Sequence, residues 1–323
     1  MRNHRRLTLG AALAVAVLIA TACNSGGGSG SSTTPSASGA SIASQLTLGG
    51  PPECPTRPYC ALGLKDTYGV TFGNFKPLDS GGPLTVAALK SGTIDVALLY
   101  STSSVIAANS WVVLNDDKHL QQADNLVPVV RTAVVNDEIS GLLNQISAAL
   151  NDENITALNA KVELDKQDPA DVAKGFLQEQ NLLPTSGNGS GTTLTVGVSG
   201  AFAENQIVAQ MYAQMLEAAG YTVKTQMDLA SREISDKALD SGQIDIKPEY
   251  VGSELIFRDP SAKASGDPAA EAALLKPLLA AKGITLLDYS PANDTNSFVV
   301  TQDTATKYGL VNVSDLAKPA PST

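Results

Sequence analysis

Two stretches decide the fold: ALKSGTIDVALLYSTS at residues 88–103, and ALDSGQIDIKPEYVGS at residues 238–253. Aligned without gaps, they share Ala-Leu, Ser-Gly, Ile-Asp and a tyrosine, Tyr100 in one and Tyr250 in the other. The segments ahead of them, YGVTFGNFKPLDSGG and GYTVKTQMDLASRE, correspond more loosely. In each copy an amphipathic helix ends at a glycine, Gly92 or Gly242, the residue that best tolerates a left-handed cap. A short β-rich strand follows, over residues 94–99 or 244–249, with the tyrosine at its carboxyl end. In open parallel sheets, ligands sit outside the carboxyl ends of strands. The repeat therefore predicts two similar α/β lobes, each presenting a tyrosine to a shared gap.

Working outward, TTLTVGVSG reads as a strand and NQIVAQMYAQMLEAAG as a helix ending at Gly220. In that helix Met211, Tyr212 and Met215 fall at core spacing. ISGLLNQISAAL and DPADVAKGFLQEQNLL read as further helices, the second opening with Asp168 as N-cap and Pro169 after it. The polar, glycine-rich PTSGNGSGTT, residues 184–193, reads either as a linker between domains or as a join between two segments of one domain.

Residues 1–22 stand apart. Arg2, Arg5 and Arg6 precede an apolar run that is too short to span a membrane and ends in small residues, the pattern of a secretory signal. Cys23 follows in the string LIATAC, which resembles a bacterial lipobox and marks Cys23 for lipidation. Residues 23–41 are rich in Ser, Gly and Thr and read as a flexible tether. Removing residues 1–22 takes away three arginines and no acid, so the formal net charge moves from −10 to −13. Such a surface repels phosphate backbones and argues against nucleic acid as a partner. His119 is then the sole histidine, set in a charged DDKH turn, which leaves histidine catalysis and most zinc sites without residues. No GxSxG or HExxH string is present, so the chain does not read as an enzyme, and no cofactor or metal is expected. Cys54 and Cys60 bracket PTRPY; in an exported chain this spacing favours a disulfide over a metal or redox pair. Roughly 280 residues remain, enough for two domains.

Further strings carry a family resemblance: VGVSGAFAENQIVAQMYAQML, SGQIDIKPEYVGSEL, SPANDTNSFVV, PPECPTRP, and ALKSGTIDVALLYSTS followed by WVVLNDDKH and NLVPVVR. Together they resemble the osmoprotectant (glycine betaine, choline, proline betaine) substrate-binding proteins of ABC importers. Their order is rotated relative to that family, as in a circular permutation with residues 184–193 joining the former ends. The resemblance implies a type II periplasmic-binding-protein-like fold, with lobe one from residues 42–124 plus 297–323 and lobe two from 125–296. It implies a monomer, lipid-anchored on the outer face of the membrane, that hands a small solute to an ABC permease and its ATPase. A ligand-sensing lipoprotein, or a receptor for another polar or aromatic solute, is the alternative.

Family members hold a quaternary ammonium in a box of tyrosines, attracted to ring faces, and grip its carboxylate with Lys, Arg and Thr. Carried over by position, Tyr100 and Tyr250 match box tyrosines, Arg57 matches the arginine, and Ser253 stands for the threonine. Gly200 stands where the lysine would be, while Asn296 and Asp124 replace tyrosines. Ser231, with Arg232, is expected to open a helix at the cleft, where free amides attract anions.

Overall fold

The computed structural model describes residues 40–200, 202–263 and 265–321. The signal, Cys23 and most of the tether lie outside the described residues. Two five-stranded sheets organise the rest. The first runs β2 (Asn74–Pro77), β1 (Thr47–Gly50), β3 (Val96–Tyr100), β10 (Asn296–Val300), β4 (Val112–Val113). The second runs β7 (Thr222–Leu229), β6 (Thr193–Ser199), β8 (Ile246–Tyr250), β5 (Leu126–Arg131), β9 (Ile284–Leu286). The two orders are equivalent. In each, the first three strands are parallel, and the fourth, β10 or β5, is antiparallel to its neighbours.

The repeat explains this likeness atom by atom. Gly92 and Gly242 both sit at positive φ, +69° and +79°, closing α2 (Pro83–Lys90) and α8 (Arg232–Ser241). The following Ile-Asp pair then does the same job in both lobes. Ile94 and Ile244 are buried against Gly49 of β1 and Gly197 of β6, where an added Cβ would come within 2.5 Å of the isoleucine. Asp95 accepts the Thr47 N–H at 2.8 Å, and Asp245 accepts the Thr195 N–H at 2.8 Å. Each aspartate thus ties the start of the repeat's strand to its parallel neighbour, β1 or β6. For the same reason β3 and β8 begin two residues later than the sequence pattern predicts, and both tyrosines become their terminal residues.

Apolar faces complete each lobe. In the second, α7 (Ala203–Ala218) is enclosed by α4 (Asp137–Ala149), α5 (Asp152–Glu163) and α6 (Pro169–Glu179), with Met211, Tyr212 and Met215 in the core. Asp168 caps α6 by accepting the Ala170 N–H at 2.8 Å. In the first lobe, Leu48, Leu64, Tyr68, Phe298 and Leu316 share a core, so the last described segment packs beside the first described one. Ser41 pairs with Pro319, and the Ala320 N–H reaches Ala40 O at 2.9 Å. Residues 184–193 run from α6 to β6, two elements that share one core. They are packed down: a Cβ at Gly189 would lie 2.4 Å from the Tyr221 ring.

The chain crosses between lobes twice, after β4 and after β9, and the two crossings pair with each other. Asn125 bridges Asn293, the Asp294 N–H reaches Asp124 O at 3.0 Å, and the Leu126 N–H reaches Ala292 O at 3.0 Å. This two-stranded ribbon connects the sheets. Asn296, expected as the last residue of the second lobe, instead opens β10 in the first sheet, opposite Tyr100.

Candidate functional site

At the carboxyl ends of β3 and β8, between the lobes, lies a cavity of about 420 Å³. Its lining includes Arg57, Tyr100, Asp124, Tyr250, Ser253 and Asn296, six residues singled out from sequence. Ser231 precedes α8 and lines a smaller adjoining cavity of about 200 Å³ with Phe202, Arg232 and Tyr250. Gly200 does not line the main cavity. Its N–H bonds to Leu229 O at 3.0 Å and an added Cβ would meet Asp228 at 3.1 Å, so the position faces β7. A lysine's reach can bring that position to a ligand; glycine has none.

Arg57 rides on a small ring closed by the Cys54–Cys60 disulfide, whose Cα atoms are 5.2 Å apart. Its guanidinium is exposed and pairs with Glu53 at 2.8 Å. Tyr100 bonds through its hydroxyl to Ser80 at 2.8 Å, and its ring meets Phe202 of the other lobe edge-on, centroids 4.9 Å apart. Gly81, at φ +71°, brings the 80–82 loop against that ring, since a Cβ there would stand 3.2 Å from it. Tyr250 is buried, its hydroxyl 2.8 Å from both Glu204 Oε1 and Asn205 Oδ1. Burial raises the pKa of both tyrosines, so both stay neutral.

Asp124 projects from the ribbon. It accepts the Ser253 N–H at 2.7 Å, the Ser253 hydroxyl at 3.0 Å and Gln122 Nε2 at 3.0 Å. Burial nevertheless pushes its carboxyl up to about 6, against the pull of those bonds and of Arg232. Asp294, its partner across the ribbon, accepts the Thr102 N–H at 3.1 Å and is raised well above the ordinary range by burial and by Glu204. Glu204, buried near the start of α7, takes bonds from Thr102 Oγ1 at 2.8 Å and Asn159 Nδ2 at 2.9 Å, and burial raises it as well. Arg232 is tied to the buried Glu249 at 3.0 Å, and Lys247 and Arg232 hold that carboxylate down to about 2. Asp236, Glu249 and Glu254 come close enough together to suggest a metal site, but the Lys247 ammonium is bonded to Asp236 and Glu249, and Arg258 to Glu254. Those cations already neutralise the cluster.

Glu204, Asp294 and Phe202 were not selected from sequence as site residues, although they stand in the strings AFAENQ and SPANDTN. Their role depends on cross-lobe contacts that no local pattern records. The cavity presents ring faces and carboxylates, an arrangement suited to holding a cation.

Two α/β lobes of matching strand order, joined by a paired ribbon over such a cavity, define a type II solute-binding protein. The chain belongs to the family described as the substrate binding domain of ABC-type glycine betaine transport systems, whose profile matches residues 35–179 and 192–323. Members of that family are extracytoplasmic binding proteins of importers, not enzymes. Over 144 residues the chain is 33% identical to a glycine-betaine-binding protein of Pseudomonas aeruginosa, covering 43% of this chain and 46% of that one. Over 121 residues it is 33% identical to the carnitine transport binding protein OpuCC of Listeria monocytogenes, covering 35% of this chain and 37% of that one. The matched stretches thus span less than half the length of these relatives. Among solved structures, an ancestral arginine-binding protein bound to arginine aligns with TM-score 0.40 and 15% identity, over 85% of this chain and 92% of that one. Among the described residues no helix is long and apolar enough to cross a membrane.

Proposed function

We propose that this protein captures a small solute bearing an ammonium group, chemically related to betaine and carnitine, in the cavity between its lobes and delivers it to an ABC permease and its ATPase. One observation carries the reading: residues from lobe one (Arg57, Tyr100), the ribbon (Asp124) and lobe two (Tyr250, Ser253) converge on a single cavity. Residues 42–124 with 296–323, and residues 125–295, act as two bodies that close about the ribbon by hinge rotation. Tyr100 and Tyr250 supply the aromatic walls, and Arg57 takes a carboxylate where the solute has one.

Cys23 carries the lipid anchor on the outer face of the membrane, and residues 24–41 are the tether; mass spectrometry of the protein from membranes should find an acylated Cys23. The chain is a circular permutant of its family. The family profile matches in two blocks flanking residues 180–191, and Ser41 pairs with Pro319, so joining those ends and opening the chain near residue 190 should give a reordered protein that still folds. The central test is a thermal-shift screen with glycine betaine, carnitine, choline, amino acids, polyols and phenolic compounds. A ligand at a hundred times its Kd stabilises the fold by about 2.7 kcal/mol. Stabilisation by an ammonium solute supports the reading; stabilisation confined to uncharged compounds overturns it.

A further inference from the structure

We propose that Asp124 and Asp294 make the cavity select a solute whose ammonium group carries N–H hydrogens over its fully methylated counterpart. The inference rests on the cavity being the solute site and concerns which ammonium that site takes.

The two residues stand opposite each other on the paired ribbon, one backbone bond apart and next to the Asn125–Asn293 bridge. Opposed residues of an antiparallel pair project to the same face, and both side chains line the cavity. Their hydrogen-bond partners are neutral: Ser253 and Gln122 for Asp124, Thr102 and Ser101 for Asp294. Among the described residues neither carboxylate is in an ion pair, nor is the neighbouring Glu204. The two arginines that line the cavity are engaged elsewhere, Arg57 with Glu53 and Arg232 with Glu249. Burial disfavours the charged form of both carboxyls, and no cation among the described residues is ion-paired with either, so an incoming cation is the group that would stabilise their ionised form.

How well a cation stabilises that form depends on its hydrogens. A quaternary ammonium keeps its charge behind methyl groups and donates nothing. An ammonium with one or more N–H groups can approach a carboxylate oxygen directly and form a charge-assisted hydrogen bond. Tyr100 and Tyr250, their hydroxyls tied to Ser80 and Glu204, leave their rings for the ligand's apolar part.

Calorimetric titration of the purified protein with glycine, sarcosine, N,N-dimethylglycine and glycine betaine varies methylation alone, and ethanolamine, N,N-dimethylethanolamine and choline repeat it without the carboxylate. The expected result is that the tightest ligand in each responding series carries an N–H. Its permethylated relative should bind on the order of ten- to a hundred-fold more weakly. Asp294→Asn, checked for an unchanged unfolding transition, should narrow that gap at least several-fold. Tighter or equal binding of glycine betaine and choline overturns the proposal, as does failure of every compound to bind. Binding that follows the expected order but ignores both Tyr100→Ala and Tyr250→Ala overturns instead the placement of the solute in this cavity.

Discussion

Replacing Asp124 by Asn should stabilise the protein at neutral pH and leave it little changed in acid. Asp124 is buried, and its carboxyl lies at about 6 in the folded protein against 3.8 for an ordinary aspartate. The folded state therefore favours the protonated acid. That contribution is fully present below about pH 4 and is lost as pH rises through about 6. At about 1.4 kcal/mol per unit, charging Asp124 costs the fold about 3 kcal/mol by pH 8. An asparagine has no charge to bury. It keeps an oxygen for the Ser253 N–H, and Gln122, whose Oε1 is buried without a partner, can turn to accept from the new amide. The facing charges, Arg232 and Asp294, are the same in both proteins, so the difference between the two unfolding curves isolates position 124. Urea unfolding of parent and Asp124→Asn at pH 4, 5, 6, 7 and 8 should show a stability difference that grows toward the variant by about 2–3 kcal/mol and levels above pH 7. A difference that stays constant across this range refutes the reasoning.

Three further outcomes follow from packing. Tyr250→Phe removes a hydroxyl bonded to buried Glu204 and Asn205 but keeps the ring, so chemical denaturation should show a loss of about 1–2 kcal/mol while calorimetry finds solute affinity within a few-fold of the parent. Gly189→Ala forces a Cβ to within 2.4 Å of the Tyr221 ring and should lower stability by about 1–3 kcal/mol; a neutral result in urea unfolding would mean that residues 184–193 are a loose spacer after all. Cys54→Ala with Cys60→Ala opens a ring of sequence separation 6 and should cost about 2 kcal/mol, with a larger relative loss of affinity for carboxylate-bearing solutes than for choline, because the ring carries Arg57.

Much of this was legible because the repeat encodes its own contacts. The Ser-Gly-x-Ile-Asp string carries the left-handed cap, the isoleucine that fits over Gly49 or Gly197 and the aspartate that ties two strands together. Once these are fixed, the tyrosines must emerge at the strand ends. The ribbon was not legible. Asp124 and Asp294 are neighbours only because both crossings between lobes run side by side. Proline also hides β5 from strand reading, since an interior proline argues against a central strand, whereas the repeat marks β8 as a strand despite Pro248. Pro128 and Pro248 lie opposite each other in the register, and the parallel ladder from β6 reaches β8 only at Ile246. The misplacement of Gly200 has a simpler origin: a site position that depends on a long side chain cannot be carried over to a residue that has none.

The central claim is that the solute sits between the lobes against both tyrosines, one from each. Calorimetric titration of Tyr100→Ala and Tyr250→Ala with the tightest solute from the screen tests it most directly. Each variant should lose ring contact and cation–π attraction, about 1–2 kcal/mol, or roughly five- to thirty-fold in Kd. Two variants that both bind as tightly as the parent would contradict it.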